Sequence, residues 1–377
     1  MKQLLTSSCS CSCSSTRRGQ AATTGFAACL SLSLSLTLSI SACGSGSSGA
    51  DEASVARAMQ QTLRAKLVTL NQAATALQAA APTPGTRGWD ATLDAGPIAA
   101  MKVAWIQART AYENVEGAIA PIFPDADVAI DERYDGFLAA LPQGDTNLFD
   151  GQGVTGMHAI ERILYSDVIP ARVVTFEATL PGYQPAAFPA TAMEAATFQT
   201  GLAAQLVTDT QALLDNWNAT KNLDVSGAFK GLIDLMNEQQ EKVNNAASGE
   251  EESRYSQRTM ADLRANLEGT TTIYGLFRDW LRSKPAMTGL PAGTAVDASI
   301  MSGFSSLGTT YTGVSGDAIP APPATWSAET PSAPDLQTPF GMLYETIHRA
   351  VDPKQTGSVV ENMDQGARLL GVPGFEE

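Results

Sequence analysis

The chain has 377 residues, with 39 acidic against 24 basic side chains and a formal charge of −15. That length suits one large or two medium domains. The charge argues against nucleic acid as a partner, because phosphate backbones require a basic surface. An acidic balance suits a soluble protein that meets cations. All five cysteines, Cys9, Cys11, Cys13, Cys29 and Cys43, fall at the N-terminal end, and there are two histidines, His158 and His348.

The N-terminal stretch reads as an address rather than as fold. Arg17 and Arg18 supply a short basic region, and the apolar run from Gly25 to Ala42 ends in small residues. This is the layout of an export signal. Its Leu-Ser alternation imitates a half-buried strand, but its position outweighs that reading. Ile40-Ser41-Ala42-Cys43 resembles a bacterial lipobox. The resemblance implies removal of 1–42 as a lipoprotein signal peptide, lipidation of Cys43 as an anchor in the membrane, and a flexible tether over 43–51. Simple secretory cleavage near Ala42 is the alternative. Either way the protein is expected in the cell envelope, facing the periplasm or the surface, and in a Gram-negative cell at the outer membrane. The body then has no thiol for a disulfide, an iron–sulfur cluster or a nucleophile. Any metal must be held by oxygen and nitrogen.

From Glu52 onward the apolar residues recur at helical period. Val55, Met59, Leu63, Leu67, Leu70, Ala74 and Leu77 mark one face of a first helix. Ile98, Met101, Trp105, Ala108, Tyr112, Val115 and Ile119 mark a second. Threes and fours alternate as one buried stripe of a bundle helix requires. PTPG after the first helix and PIFPDAD after the second are breakers that reverse the chain. Further helices are predicted at about 154–168, 191–219, 223–247, 255–283, 297–310, 336–352 and 358–370. The proline-dense stretch 314–335 is predicted to be a long loop. Strand signals are almost absent. Helices of this length with short breakers pack as up-and-down bundles with their sites between facing helices. Their number exceeds one four-helix bundle, so an all-α body of two bundles over 52–372 is expected.

Three places carry polar groups that solvation does not need. Glu113 and Glu116 stand at i and i+3 on the second helix, on the border of its apolar stripe. His158 and Glu161 repeat that spacing on the third, inside GMHAIERILYSD. Between them DADVAIDERYD places Asp127, Asp131 and Asp135 in a predicted turn. Carboxylates brought together repel and lose hydration unless a cation compensates. Glutamates at i, i+3 with a histidine on a neighbouring helix are the ligand pattern of carboxylate metal bundles. Such a donor set suits iron, manganese, zinc or copper. Each element also has a bland reading. Arg109 lies four residues before Glu113 and explains it as an ordinary ion pair, and the aspartates are compatible with turns and caps. His348, Trp217 and Trp280 are read as structural.

At these residues the sequence resembles the imelysin-like family, which includes periplasmic iron-uptake lipoproteins of the Efe type. Its GxHxxE motif is matched by Gly156, His158 and Glu161, and an upstream W-x3-R-x2-YE-x2-E by Trp105, Arg109, Tyr112, Glu113 and Glu116. Ile130, Asp131 and Arg133 match an ID-x-R stretch, and GEEESRYSQRTMADLRANLEG resembles a second block that ends at Asn266 and Gly269. The chain departs from that block at Gln257, where the family has a histidine, and at Thr259-Met260. The resemblance implies two antiparallel four-helix bundles. It also implies a metal site of His158, Glu161, Glu113, Glu116 and Asp131, with Glu252 from the acidic run. No cupredoxin-like domain precedes the bundles, which implies the short form.

Capture of iron, or of a related ion such as zinc or copper, for an uptake permease or redox partner is therefore the expected function. Two other classes compete. A metallopeptidase of the imelysin type needs three protein ligands, an open water position and a base, and the helical HExxH form is missing. A helical interaction lipoprotein without metal would show the same melting midpoint with and without ions.

Overall fold

A computed structural model describes residues 50–376 except position 142. Residues 1–49 lie outside the described part, and with them the expected signal peptide, Cys43 and most of the tether. The described residues are all-helical apart from an isolated bridge between Met287 and Leu290. In chain order the α-helices are α1 (Glu52–Ala80), α2 (Ala95–Glu113), α3 (Glu116–Ile122), α4 (Pro124–Asp131), α5 (Tyr134–Ala140), α6 (Gly156–Leu164) and α7 (Ala171–Glu177). They continue as α8 (Ala192–Thr197), α9 (Ala203–Ala219), α10 (Val225–Asn244), α11 (Thr259–Arg282), α12 (Gly293–Gly313), α13 (Pro339–Val351) and α14 (Val359–Leu370). A π-helical turn, Phe198–Leu202, joins α8 to α9, so this rod runs through the whole predicted 191–219 segment.

The periodic stripes explain why these helices pack. Every stripe residue predicted for α1 is buried, as is every one predicted for the second helix. Each Leu so buried contributes roughly 1.5–3 kcal/mol. Asp51 begins α1 with a reciprocal capping box to Ser54. One group of helices forms around α1, which packs on α2 and α9, with α6 against α2. The α1–α9 pair is antiparallel: Gln60 meets Trp217 and Gln78 meets Gln199. A second group joins α10, α11, α12, α13 and α14. There Arg264 meets Tyr311 while Tyr274 meets Asp297, again antiparallel. The two groups join where α10 packs on α3 and α11 packs on α2. Both tryptophans read as structural, Trp217 and Trp280, are core residues.

Two local expectations need correction. The second helix does not run unbroken to Ile119. It stops at Glu113, turns through Asn114 and Val115, and restarts as α3. The break is held in place: Asn114 accepts from Lys66 Nζ at 2.6 Å and donates to the Ala265 carbonyl at 3.3 Å. The aspartates expected in a turn lie instead on α4 and α5. Pro124 occupies the first turn of α4, where a missing N–H costs nothing, and Asp125 and Asp127 complement the positive helix end. The predicted loop at 314–335 has no α-helix. It is pinned by Trp326, whose ring packs on Phe340 and Tyr344 at 4.8 Å each and whose Nε1 donates to Asn244 of α10 at 3.0 Å.

The seam between the helix groups depends on a missing side chain. A Cβ on Gly231 of α10 would lie 2.0 Å from the Gly117 carbonyl oxygen and 2.6 Å from Pro121. Gly231→Ala is expected to destabilise by roughly 1–3 kcal/mol through overpacking, despite the better helix propensity of alanine. Gly275, exposed on α11 with open space around it, is the control. Gly275→Ala should stabilise by about 0.5–1 kcal/mol. Denaturant melts of both variants check the pair.

Candidate metal centre

The GxHxxE motif has a backbone reason for its glycine. Gly156 opens α6 at φ +80°, and a Cβ there would fall 2.7 Å from the Ile130 carbonyl oxygen. Only glycine lets the first turn of α6 press so closely on the end of α4, and this close approach carries His158 towards Asp131. Trp105 of α2 fixes the same turn by donating from Nε1 to the Met157 carbonyl at 2.9 Å. Every residue of α6 is buried.

The imidazole of His158 is polarised between two kinds of partner. Its Nδ1 lies 3.1 Å from Glu161 Oε2, while Glu161 Oε1 accepts the Ser256 backbone N–H at 2.8 Å. Burial holds His158 well below the ordinary histidine range, so the ring is neutral. A neutral ring that donates from Nδ1 leaves a lone pair on Nε2. That nitrogen is buried without a hydrogen-bond partner and faces Asp131 Oδ1 at 3.5 Å. Ligand atoms of Asp131, His158 and Glu252 all lie within 4.8 Å of one another. A backing carboxylate on the far ring nitrogen is the usual support of a metal-binding histidine.

The remaining predicted residues stand beside this group around two buried cations. Arg109 pairs with Asp131, with Glu113 at 2.5 Å and with Glu252 at 2.8 Å, and its Nε lies 3.6 Å from Asp262. Lys242 of α10 lies 2.8 Å from Glu252, 3.3 Å from Glu116 and 4.0 Å from Glu113. Asn266 donates to Glu113 and to Glu116 at 2.7 Å each, across the Asn114–Val115 break. Thus Asp131, His158 and Glu252 come together, Glu161 backs the ring, and Glu113 and Glu116 gather on the lysine side. The ordinary Arg109–Glu113 pair exists, inside this larger cluster.

Electrostatics shows how crowded the centre is. Burial pushes the Glu113 and Asp131 carboxyls well above their ordinary range, Glu161 to about 7 and Asp262 to about 6, despite Arg109 nearby. Glu252 is also desolvated, yet Lys242 and Arg109 together hold it well below the usual carboxylate range. Lys242 loses hydration too, but the surrounding glutamates raise it well above the ordinary lysine value. A cleft of about 340 Å³ opens onto the centre. Asp127, Asp131, Glu132, Glu238, Glu241 and Glu252 line it against Arg133 and Lys242, so it attracts cations.

Sequence reasoning missed Lys242, Asp262 and the part of the cleft built from α10. The signal for Lys242 was present: Leu232, Met236, Gln239 and Lys242 continue one buried face of α10 at spacings of four and three. A lysine on such a stripe demands acidic partners. Gln257, the departure from the resembled block, takes φ +57° and binds Glu251 and Arg172 rather than the centre. His348 accepts or donates at Gln240 at 2.8 Å and stacks on Tyr344, a structural role.

Fold and site together define an all-α protein of two helix groups with a carboxylate–imidazole cluster buried at their junction. The sequence profile described as Peptidase_M75: Imelysin matches residues 56–302. The chain belongs to the imelysin family. The crystal structure of an imelysin-like protein from Psychrobacter arcticum 273-4 superposes with a TM-score of 0.54 at 12% identity, covering 86% of this chain and 98% of that one. At that identity the likeness shows the fold. No curated protein sequence matches the chain.

Removing the central guanidinium leaves Asp131, Glu113 and Glu252 without their shared partner. Arg109→Met is expected to destabilise the metal-free protein by about 3–5 kcal/mol, the cost of breaking a buried ion pair from one side. Denaturant unfolding of the full chain measures it.

Proposed function

We propose that this protein is a cell-envelope lipoprotein that captures iron, or a related transition-metal ion such as zinc or copper, for transfer to an uptake permease or redox partner. Asp131, His158 and Glu252 hold the ion, Glu161 orients the imidazole, and Glu113 and Glu116 complete the acidic surroundings. Lipid on Cys43 tethers the body to the membrane. No helix among the described residues is long and apolar enough to cross a bilayer, which fits attachment at the N-terminus.

The observation that carries this reading is the His158 Nε2 atom. A buried ring nitrogen without a hydrogen-bond partner is costly, and this one faces two carboxylates that line an acidic cleft. A cation satisfies all three. One imidazole among oxygen donors suits iron, manganese or zinc better than a purely soft ion. The resemblance to iron-uptake lipoproteins supports iron as the first of these to test.

The test is elemental analysis of the protein purified from its own host, followed by titration of the metal-free protein with Fe²⁺ and Zn²⁺. His158→Ala is expected to weaken binding at least 100-fold while helicity by circular dichroism stays unchanged. A variant that titrates like wild type sinks the reading. The family's peptidase designation adds one arm. Chelator-sensitive peptide cleavage that disappears in His158→Ala would move the protein from capture to hydrolysis, since three protein ligands beside an open cleft also serve a zinc hydrolase.

A further inference from the structure

The lysine side of the centre has the donors of a metal site, and a side chain fills it. Lys242 Nζ is surrounded by Glu252 Oε2 at 2.8 Å, Glu116 Oε1 at 3.3 Å, Asn266 Oδ1 at 3.3 Å and Glu113 Oε2 at 4.0 Å. Four oxygens from four residues, three of them carboxylate, are what a hard cation takes. The adjoining position, marked by the unpartnered His158 Nε2, shares Glu252 with this one. One carboxylate facing two cation positions is the arrangement of bridged metal pairs, whose ions lie about 3.5–4 Å apart.

We propose that Lys242 occupies the second cation position of a two-position centre and so restricts the protein to one captured ion. This rests on the capture reading and specifies its capacity. The ammonium supplies one positive charge where a divalent ion would supply two, and it cannot dissociate. Its charge also explains why Glu113, Glu116 and Glu252 tolerate being crowded together before any ion arrives. A single ion at Asp131 and His158 is suited to being handed on, whereas a bridged pair is held from both sides.

The probe is Zn²⁺ for stoichiometry and Mn²⁺ for its paramagnetic resonance, both with the full chain. Wild type is expected to take one Zn²⁺ and to show the six-line spectrum of an isolated Mn²⁺. Lys242→Gln and Lys242→Met should take two Zn²⁺ and give the spin-coupled spectrum of a Mn²⁺ pair. Lys242→Met combined with Glu116→Gln should return to one. A wild type that binds two ions overturns the inference even if no Lys242 variant folds. So does a folded Lys242 variant that still binds one. A wild type that binds none overturns the capture reading itself, so the two failures are distinguishable.

Discussion

Arg109 is the interaction on which the rest of the centre depends. A guanidinium can serve several carboxylates at once because it presents five donors in a fixed fork. Here it reaches Asp131 on α4, Glu113 on its own helix, Glu252 in the segment before α11, and Asp262 on α11. Four acidic groups from separate parts of the chain are thereby drawn to one buried point. Desolvation opposes this, and the raised carboxyls show that one cation does not compensate fully. Lys242 supplies a second positive charge. Carboxyls still held above their ordinary range, together with an unpartnered imidazole nitrogen, are the physical support for the cation proposed above.

Several motif positions become single-purpose parts once the geometry is known. Trp105 anchors the first turn of α6, Arg109 gathers carboxylates, Tyr112 donates its hydroxyl to Asp127, and Glu113 faces Arg109 and Asn266. Gly156 provides close approach and His158 the donor atom. The two closing residues of the second block are equally concrete. Asn266 bridges both glutamates, and a Cβ on Gly269 would fall 2.3 Å from the Asn114 carbonyl oxygen, at the helix break.

Much of the fold was legible because bundle helices announce themselves by stripe. The faces of α1 and of α2 with α3 were read residue by residue, since burial at spacings of three and four leaves little choice. The short helices α4, α5 and α7 were not. Seven or eight residues span two turns, too few for a periodic signal, and tertiary packing rather than propensity stabilises them. The break after Glu113 was hidden for a different reason. Its sequence is helical in character, and only contacts with Lys66 and Ala265, distant in the chain, hold it open. At the site, the acids and the histidine were visible as a cluster in sequence. Their division into a group around the His158 ring and a group around Lys242 was not, because Lys242 lies 126 residues beyond Glu116 in the chain.

The location of the centre has one more consequence. Its polar side chains come from α2, α3, α4 and α6 on one side and from α10, α11 and the preceding acidic segment on the other. Under the proposed capture reading, an ion held there is a rivet between two halves that meet across a glycine-lined seam. In that reading loading and assembly form one linked equilibrium: an opened junction loses the ion, and an emptied junction is easier to open in equal measure.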